Sequence, residues 1–286
     1  GMVVAQDIDA LSATIEGWLS QPNSQDFFPL LVDKYVPGME AEVDAVCDGQ
    51  SVLIPGVYQH VEKAGIHSGD SVALFPAPYL TDEVKATIAR YTEAIAREMG
   101  AVGLINIQFV ISGDTVYVLE VNPRASRTVP ITSKVTGVPM VELAVRAQLG
   151  EKLAEMGYKA GLLPDIPFAV VKAPVFSTVK LTGVDPALGP EMKSTGEVLG
   201  LGHSFAEAAG KAFAYKDSIF SSWQAGQICL VSLADGDKTA EVLPALKRLQ
   251  EQGGVLAGTP GTAAWLKENG LSVAHVIGDE QELVEL

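Results

Sequence analysis

The chain is short of cysteine, of basic residues and of long apolar runs, and each shortage removes a class of function. Only Cys47 and Cys229 occur in 286 residues. They lie far apart and in no metal-ligand spacing, so they read as reduced thiols of a cytoplasmic protein rather than a disulfide framework or a thiolate metal centre. Lys and Arg number 20 against 35 Asp and Glu, a net charge of -15. Nucleic acid and anionic membrane surfaces both need a basic footprint, so neither is an expected partner. No run approaches the ~18 consecutive apolar residues of a membrane span, and no signal peptide opens the chain. Charged residues are 19% and hydrophobic ones 48%, enough for a sizeable core in one large or two ordinary domains. Gly1 before Met2 reads as a cleavage scar, and both ends read as cut.

What is present is a polar cluster set into two apolar strands, Asn106-Ile-Gln-Phe109 and Glu120-Val-Asn-Pro-Arg124. Alternation puts Ile105, Ile107 and Phe109 on one face and Asn106 and Gln108 on the other; Leu119 and Val121 alternate likewise with Glu120 and Asn122. Ser112-Gly-Asp114 is a hairpin signal. Gln108, Glu120 and Asn122 on one face would offer only oxygen ligands, which suit Mg²⁺ held jointly by a carboxylate and substrate phosphates. Arg124 and Arg127 follow and could hold the same anion. The reading has a condition: a strict two-residue turn would point Gln108 away from Glu120, because a one-residue slip inverts every side chain. It requires an odd loop or a bulge. The alternative is a half-exposed hairpin with ordinary polar residues on its wet face.

Helical spacing covers residues 7–19, capped by Asp7 or Asp9. Strands are expected at 30–36, 40–47 and 52–60, with Asp48-Gly49 as a tight turn and a loop over 64–71. An amphipathic helix spans 82–99, with Val84, Ile88, Tyr91, Ile95 and Met99 on one side. Beyond the hairpin, 141–149 is helical, 152–167 a helix and loop, 169–176 a strand, 182–202 a Gly/Pro-rich run and 205–215 a helix. A polar linker is expected over 216–226. From 228 onward strands (228–233, 253–257, 273–277) alternate with helices (239–252, 262–269), which suggests a parallel doubly wound sheet. Such sheets usually carry more strands, so the tail is expected to pair with another copy through its open edge or to be partly disordered.

Several motifs carry a resemblance. Glu40-Ala-Glu-Val-Asp44, Ala64-Gly-Ile-His-Ser-Gly-Asp-Ser71, Asn106-Ile-Gln-Phe109, Glu120-Val-Asn-Pro-Arg-Ala-Ser-Arg-Thr-Val-Pro130 and Gly189-Pro-Glu-Met-Lys-Ser-Thr-Gly-Glu-Val198 resemble the large subunit of carbamoyl-phosphate synthase along nearly the whole chain. The Glu120–Pro130 form is similar to the second, carbamate-phosphorylating ATP-grasp module. The tail is similar to the start of the methylglyoxal-synthase-like regulatory domain. The implied fold is an α+β ATP-grasp lobe, an antiparallel sheet with helices, over 1–217, then a truncated α/β doubly wound domain over 218–286.

The resemblance implies roles. Gln108 and Glu120 match ligands of one Mg²⁺ or Mn²⁺ ion, and Glu120 and Asn122 ligands of a second. Glu40 matches the carboxylate that accepts from the ribose hydroxyls. Lys34 and Val36 match the strand beside the adenine, and Gly65, Ile66, His67 and Ser68 a loop touching the ATP. Arg124 and Arg127 match cations near the carbamate or the transferred phosphate. Ser232, Lys238, Thr259 and Thr262 match contacts to the phosphate of a nucleotide effector, and Thr259-Pro-Gly-Thr262 before a helix is a reasonable anion site. The implied partners are the rest of the large subunit and a glutaminase small subunit, in arginine or pyrimidine synthesis. In the family the phosphate loop lies upstream of Met2, so the stretch alone is expected not to make carbamoyl phosphate. Two competing readings are another ATP-grasp enzyme, such as a biotin carboxylase, and a non-enzymatic effector-binding module. The 189–198 motif and the α/β tail speak against the first; effector binding unaffected by Glu120→Ala would favour the second.

Overall fold

The computed structural model describes residues 3–5, 7–177, 187–214, 224–279 and 282. The chain divides into two compact units, residues 1–215 and 216–286. The first unit runs α1 (Ile8–Leu19), β1 (Met39–Asp48), β2 (Val52–Ile54), β3 (Tyr58–Lys63), β4 (Ala73–Phe75), α2 (Asp82–Glu98), β5 (Val102–Ser112), β6 (Thr115–Asn122), α3 (Thr128–Thr136), α4 (Met140–Gln148), β7 (Gly161–Leu162), β8 (Ala169–Val175), β9 (Gly196–Gly202) and α5 (Phe205–Phe213). Its sheet has the order β6-β5-β1-β3-β4-β8-β9, with β2 beside β1 and β7 beside β2. All pairings are antiparallel except β2 with β7.

Local chemistry sets the element ends. Asp7 caps α1, its Oδ1 accepting from Ala10 N at 2.8 Å, and Thr81 caps α2 through Val84 N. The Asp48-Gly49 turn forms as the dipeptide predicts. Gly49 sits at φ +82°, and Asp48 Oδ1 accepts from the amides of Gln50 and Ser51. On β1, Ala41, Val43, Ala45 and Cys47 face a core shared with Ile105, Ile107 and Phe109 of β5 and with Ile88, Ala89 and Ala96 of α2. The opposite face of β1 carries Glu40, Glu42 and Asp44, all buried.

Several expected elements differ. No strand forms over 30–36. Proline brackets the segment at 29 and 37, and Leu31 and Val32 are exposed, so an apolar run lacks a strand to pair with. The strand expected over 52–60 is broken at Pro55-Gly56 into β2 and β3. Residues 152–167 hold turns and the two-residue β7 rather than a helix, with Gly157 and Gly161 in the left-handed region. The Gly/Pro-rich run conceals β9, paired along its length with β8; part of that run, 182–186, lies outside the described residues. The glycines there serve contact rather than a turn, because a Cβ on Gly200 would collide with the Ala208 carbonyl of α5. The expected linker lies outside the described residues except for 224–226.

In the second unit, β10 (Ile228–Val231), α6 (Leu243–Glu251), β11 (Val255–Gly258), α7 (Pro260–Glu268) and β12 (His275–Val276) form a parallel sheet of order β10-β11-β12. Val231, Leu256, Leu266 and Leu271 make its core. The first helix starts at Leu243, later than the sequence suggested, and the last strand is only two residues long. Ile228 and Leu230 remain exposed.

Candidate nucleotide and metal site

The hairpin register decides what this site can be. The turn is two residues long, with Ser112 opposite Thr115 and Gly113 at φ +58°. Pairing then runs Ile111 with Val116, Val110 with Tyr117 and Phe109 with Val118. Next comes a bulge, and Gln108 pairs with Glu120, Ile107 with Val121 and Asn106 with Asn122. Leu119 is the extra residue. It was expected on the core side with Val121, yet it is 53% exposed, because a bulged residue leaves the ladder. The bulge restores the register that a two-residue turn alone would have inverted. Gln108, Glu120 and Asn122 therefore share one face, and Asn122 Nδ2 donates to Glu120 Oε1 at 2.8 Å.

Behind the hairpin the ladder continues into β1, where Gln108 pairs with Glu42 and Asn106 with Asp44. Three carboxylates in alternation on a buried strand need compensation, and it comes from several elements. His60 of β3 lies between two of them. Its Nδ1 is 3.1 Å from Glu40 Oε2 and its Nε2 3.4 Å from Glu42 Oε1. The second contact is an ion-pair distance without hydrogen-bond geometry. Burial alone would lower the His60 pKa, but the Glu40 hydrogen bond and the adjoining carboxylates of Glu40 and Glu42 raise it to about 9, so the ring is cationic at neutral pH. Burial pushes the Glu42 carboxyl up, while His60, Lys172 and Asn106 bring it net below the ordinary range. Asp44 stays high, at about 6, because burial and the Glu42 charge outweigh its bonds to Thr128, Ser126 and Asn106.

Lys172 of β8 is 1% exposed and donates from Nζ to the Ser68 carbonyl at 2.8 Å. Burial lowers its pKa, against the pull of Glu42, Glu197 and Glu62. Glu197 of β9 is raised by burial in spite of Lys172 and Arg127, and its Oε2 is buried with no hydrogen-bond partner among the described residues.

The 64–71 loop is tied to this floor. Gly65 N donates to Glu40 Oε1 at 3.1 Å and Gln108 Nε2 to Ser68 Oγ at 3.1 Å. His67 Nδ1 accepts from Gly69 N, and His67 N donates to the Gly189 carbonyl. Asp70 accepts from the amides of Lys193 and Ser194, which joins the Gly189–Val198 motif to the loop. Arg127 Nη1 donates to Ser194 Oγ at 3.0 Å, whereas Arg124 is exposed and its Nη1 donates to the neighbouring Ala125 carbonyl.

The structure thus brings together Glu40, Gly65, His67, Ser68, Gln108, Glu120, Asn122 and Arg127, with Arg124 and Ile66 on the same connecting segments. Lys34 and Val36 are a correction: they lie outside the sheet, Lys34 exposed, with no adenine-flanking strand around them. Glu40, expected to accept from the ribose hydroxyls, is buried and holds a protein amide and the His60 ring. The sequence reading missed Glu42, Asp44, His60, Lys172 and Glu197. Two signals were available: acidic residues at alternate positions of an apolar strand, and a single lysine inside the apolar run of β8.

Among the described residues no three His, Cys, Asp or Glu side chains group as a metal site. The hairpin set fits a hard divalent cation nonetheless, since one carboxylate and two amides supply oxygen donors and leave positions for substrate oxygens. In the second unit, Thr262 Oγ1 accepts from Leu233 N at 3.0 Å and from Thr259 Oγ1 at 3.0 Å. Lys238 pairs with Asp235 and lies beside Gly261 at the start of α7. Ser232 is exposed next to Leu233.

No helix among the described residues is long and apolar enough to cross a membrane. Residues 1–156 match the family model for the carbamoyl-phosphate synthase L chain, ATP binding domain. The carbamoyl phosphate synthase large chain of Thermomicrobium roseum is 51% identical over 262 residues, which is 90% of this chain and 24% of that protein. The chain therefore spans about a quarter of that relative's length. Among solved structures, the biotin carboxylase domain of a single-chain bacterial carboxylase is similar at TM-score 0.48 and 19% identity, over 70% of this chain and 53% of that one. The biotin carboxylase domain of a thermophilic 2-oxoglutarate carboxylase gives 0.44 and 20%, over 59% and 38%. With a matching model over more than half its residues, the chain belongs to the ATP-binding-domain family of the carbamoyl-phosphate synthase large chain.

Proposed function

We propose that the first unit is the ATP-grasp portion that phosphorylates carbamate in a carbamoyl-phosphate synthase large chain, working with the rest of that chain and a cytoplasmic glutaminase subunit. The observation that carries this reading is the bulge at Leu119, which sets Gln108 opposite Glu120 and Asn122 on one face. These three would hold two Mg²⁺ or Mn²⁺ ions, which neutralise charge on the triphosphate when bound. A carbamate oxygen attacks the γ-phosphorus, the bond to the β-γ bridging oxygen breaks, and ADP leaves. Most of what such a transfer needs is positioning and charge stabilisation.

The protein side of that work falls to the residues around the hairpin. The Gly65–Ser68 loop would meet the nucleotide through Ile66 and Ser68, since the Gly65 and His67 amides already donate to Glu40 and to the Gly189 carbonyl, and Lys172 steadies it from behind through the Ser68 carbonyl. Arg124 and Arg127 stand ready for the carbamate and the transferred phosphoryl group, a role suited to planar guanidinium forks. A ribose role for Glu40 requires its Oε1 to exchange the Gly65 amide for a hydroxyl. The second unit would be the start of a methylglyoxal-synthase-like regulatory domain, with Ser232, Lys238, Thr259 and Thr262 receiving the phosphate of a nucleotide effector.

The test uses a full-length large chain carrying this sequence and follows ATP formation from ADP and carbamoyl phosphate, the reverse of the proposed step. Glu120→Ala should lower the rate by about 100-fold or more, as expected for loss of a charge-stabilising group. Tyr117→Ala, on the same strand but outside the ligand set, should leave it within about twofold. An unchanged rate for Glu120→Ala would refute the assignment.

A further inference from the structure

The turn that carries Arg124 and Arg127 joins β6 to α3, and its position fixes where both guanidinium groups can reach. Arg127 is the N-cap residue of α3 and makes no side-chain capping hydrogen bond. What secures the turn is a single carboxylate. Asp44 Oδ2 accepts from Ser126 Oγ at 2.8 Å and from Thr128 Oγ1 at 2.5 Å. Ser126 Oγ also accepts from Thr128 N at 3.1 Å and lies 2.7 Å from Thr128 Oγ1. The residues on either side of Arg127 are therefore pinned to one oxygen atom. The other oxygen, Oδ1, accepts from Asn106 Nδ2 at 3.0 Å, and Asn106 is the cross-strand partner of Asn122.

Asp44 is thus bonded both to the arginine turn and to Asn106 of β5. It is 2% exposed and two residues from Glu42 on the same strand face. Burying a carboxylate beside another is costly, and apolar packing would support a purely structural turn at lower cost. What the carboxylate adds is direction: one oxygen accepts two hydroxyls, and the other reads the position of β5.

We propose that Asp44 is a positioning residue, holding the 126–128 turn against β1 so that Arg124 and Arg127 stand at a fixed place relative to Gln108, Glu120 and Asn122. The inference rests on the phosphoryl-transfer reading above, and Asp44 itself touches no reacting atom. In the full-length large chain, Asp44→Ala should lower kcat for ATP formation from ADP and carbamoyl phosphate by about 10- to 100-fold, the scale of a displaced catalytic group, with KM for ADP within about twofold. Asp44→Asn keeps the shape and can bond the same three partners, so it should recover to within about threefold of the parent. Hydrogen exchange in the same protein gives a readout free of activity: the Thr128 amide should exchange faster in Asp44→Ala, with α2 amides unchanged. Parental kcat in Asp44→Ala, a loss appearing in KM alone, an Asn variant no better than Ala, or an unaltered Thr128 amide would each overturn the proposal. Failure of the function reading is seen separately, as parental activity in Glu120→Ala.

Discussion

His60 shows how one side chain can carry a buried acidic floor. Its ring stands between Glu40 and Glu42, and its pKa is raised from 6.5 to about 9. A raised folded-state value means the cation is favoured by the fold. The stabilisation is therefore complete below pH 6.5 and is lost as pH climbs through 9. The shift corresponds to roughly 3 kcal/mol. Denaturant unfolding between pH 6.5 and 9.5 should show this decline in the parent and a flatter profile in His60→Gln. Gly200 is a second residue with a defined job. The β9 backbone at that point lies against the Ala208 carbonyl of α5, so Gly200→Ala should destabilise the first unit by about 2 kcal/mol through overpacking. A thermal melt within one degree of the parent would contradict this.

At the scale of elements, the β5-β6 hairpin depends on one inserted residue. Removing Leu119 takes away an exposed side chain and no core contact, yet it shifts β6 by one position against β5. Either Glu120 and Asn122 turn to the face of Ile107, or the Gly113-Asp114 turn must rebuild. Deletion of Leu119 should abolish Mn²⁺-dependent ATP binding in the full-length large chain, while Leu119→Ala retains it. Equal binding by both would remove the bulge from the account. β9 illustrates the opposite problem of legibility. Gly196, Gly200 and Gly202 signal a loop when read locally, but β8 pairs with the whole segment and α5 needs the missing side chains. Residues 30–36 look like a strand by composition and lack a neighbour to make one.

For the whole molecule, the described cores belong to one unit or the other. The clusters around β1, α2 and β5 draw only on the first unit, and the cluster of Val231, Leu256, Leu266 and Leu271 only on the second. Leu266→Ala should therefore cost roughly 2–5 kcal/mol in the second unit. Calorimetry should show one transition lowered and the other unmoved; a matched fall in both would mean that the two units unfold as one.

Much of this was legible in the sequence because it depends on neighbours along the chain. Asp7 announces a helix start, the spacing of Val84, Ile88, Tyr91 and Ile95 announces a second helix, Asp48-Gly49 and Gly113-Asp114 announce turns, and the alternation around Gln108 and Glu120 announces two strands with a polar face. The tertiary structure alone decided what the polar face does. Register is fixed by hydrogen bonds between strands, so the sequence could state the need for an odd loop or a bulge but not choose between them or place the bulge at Leu119. The setting of His60 between Glu40 and Glu42, of Lys172 behind Ser68 and of Asp44 under the arginine turn joins residues tens of positions apart. Such joins follow from which strands become neighbours, and only the folded sheet specifies that order.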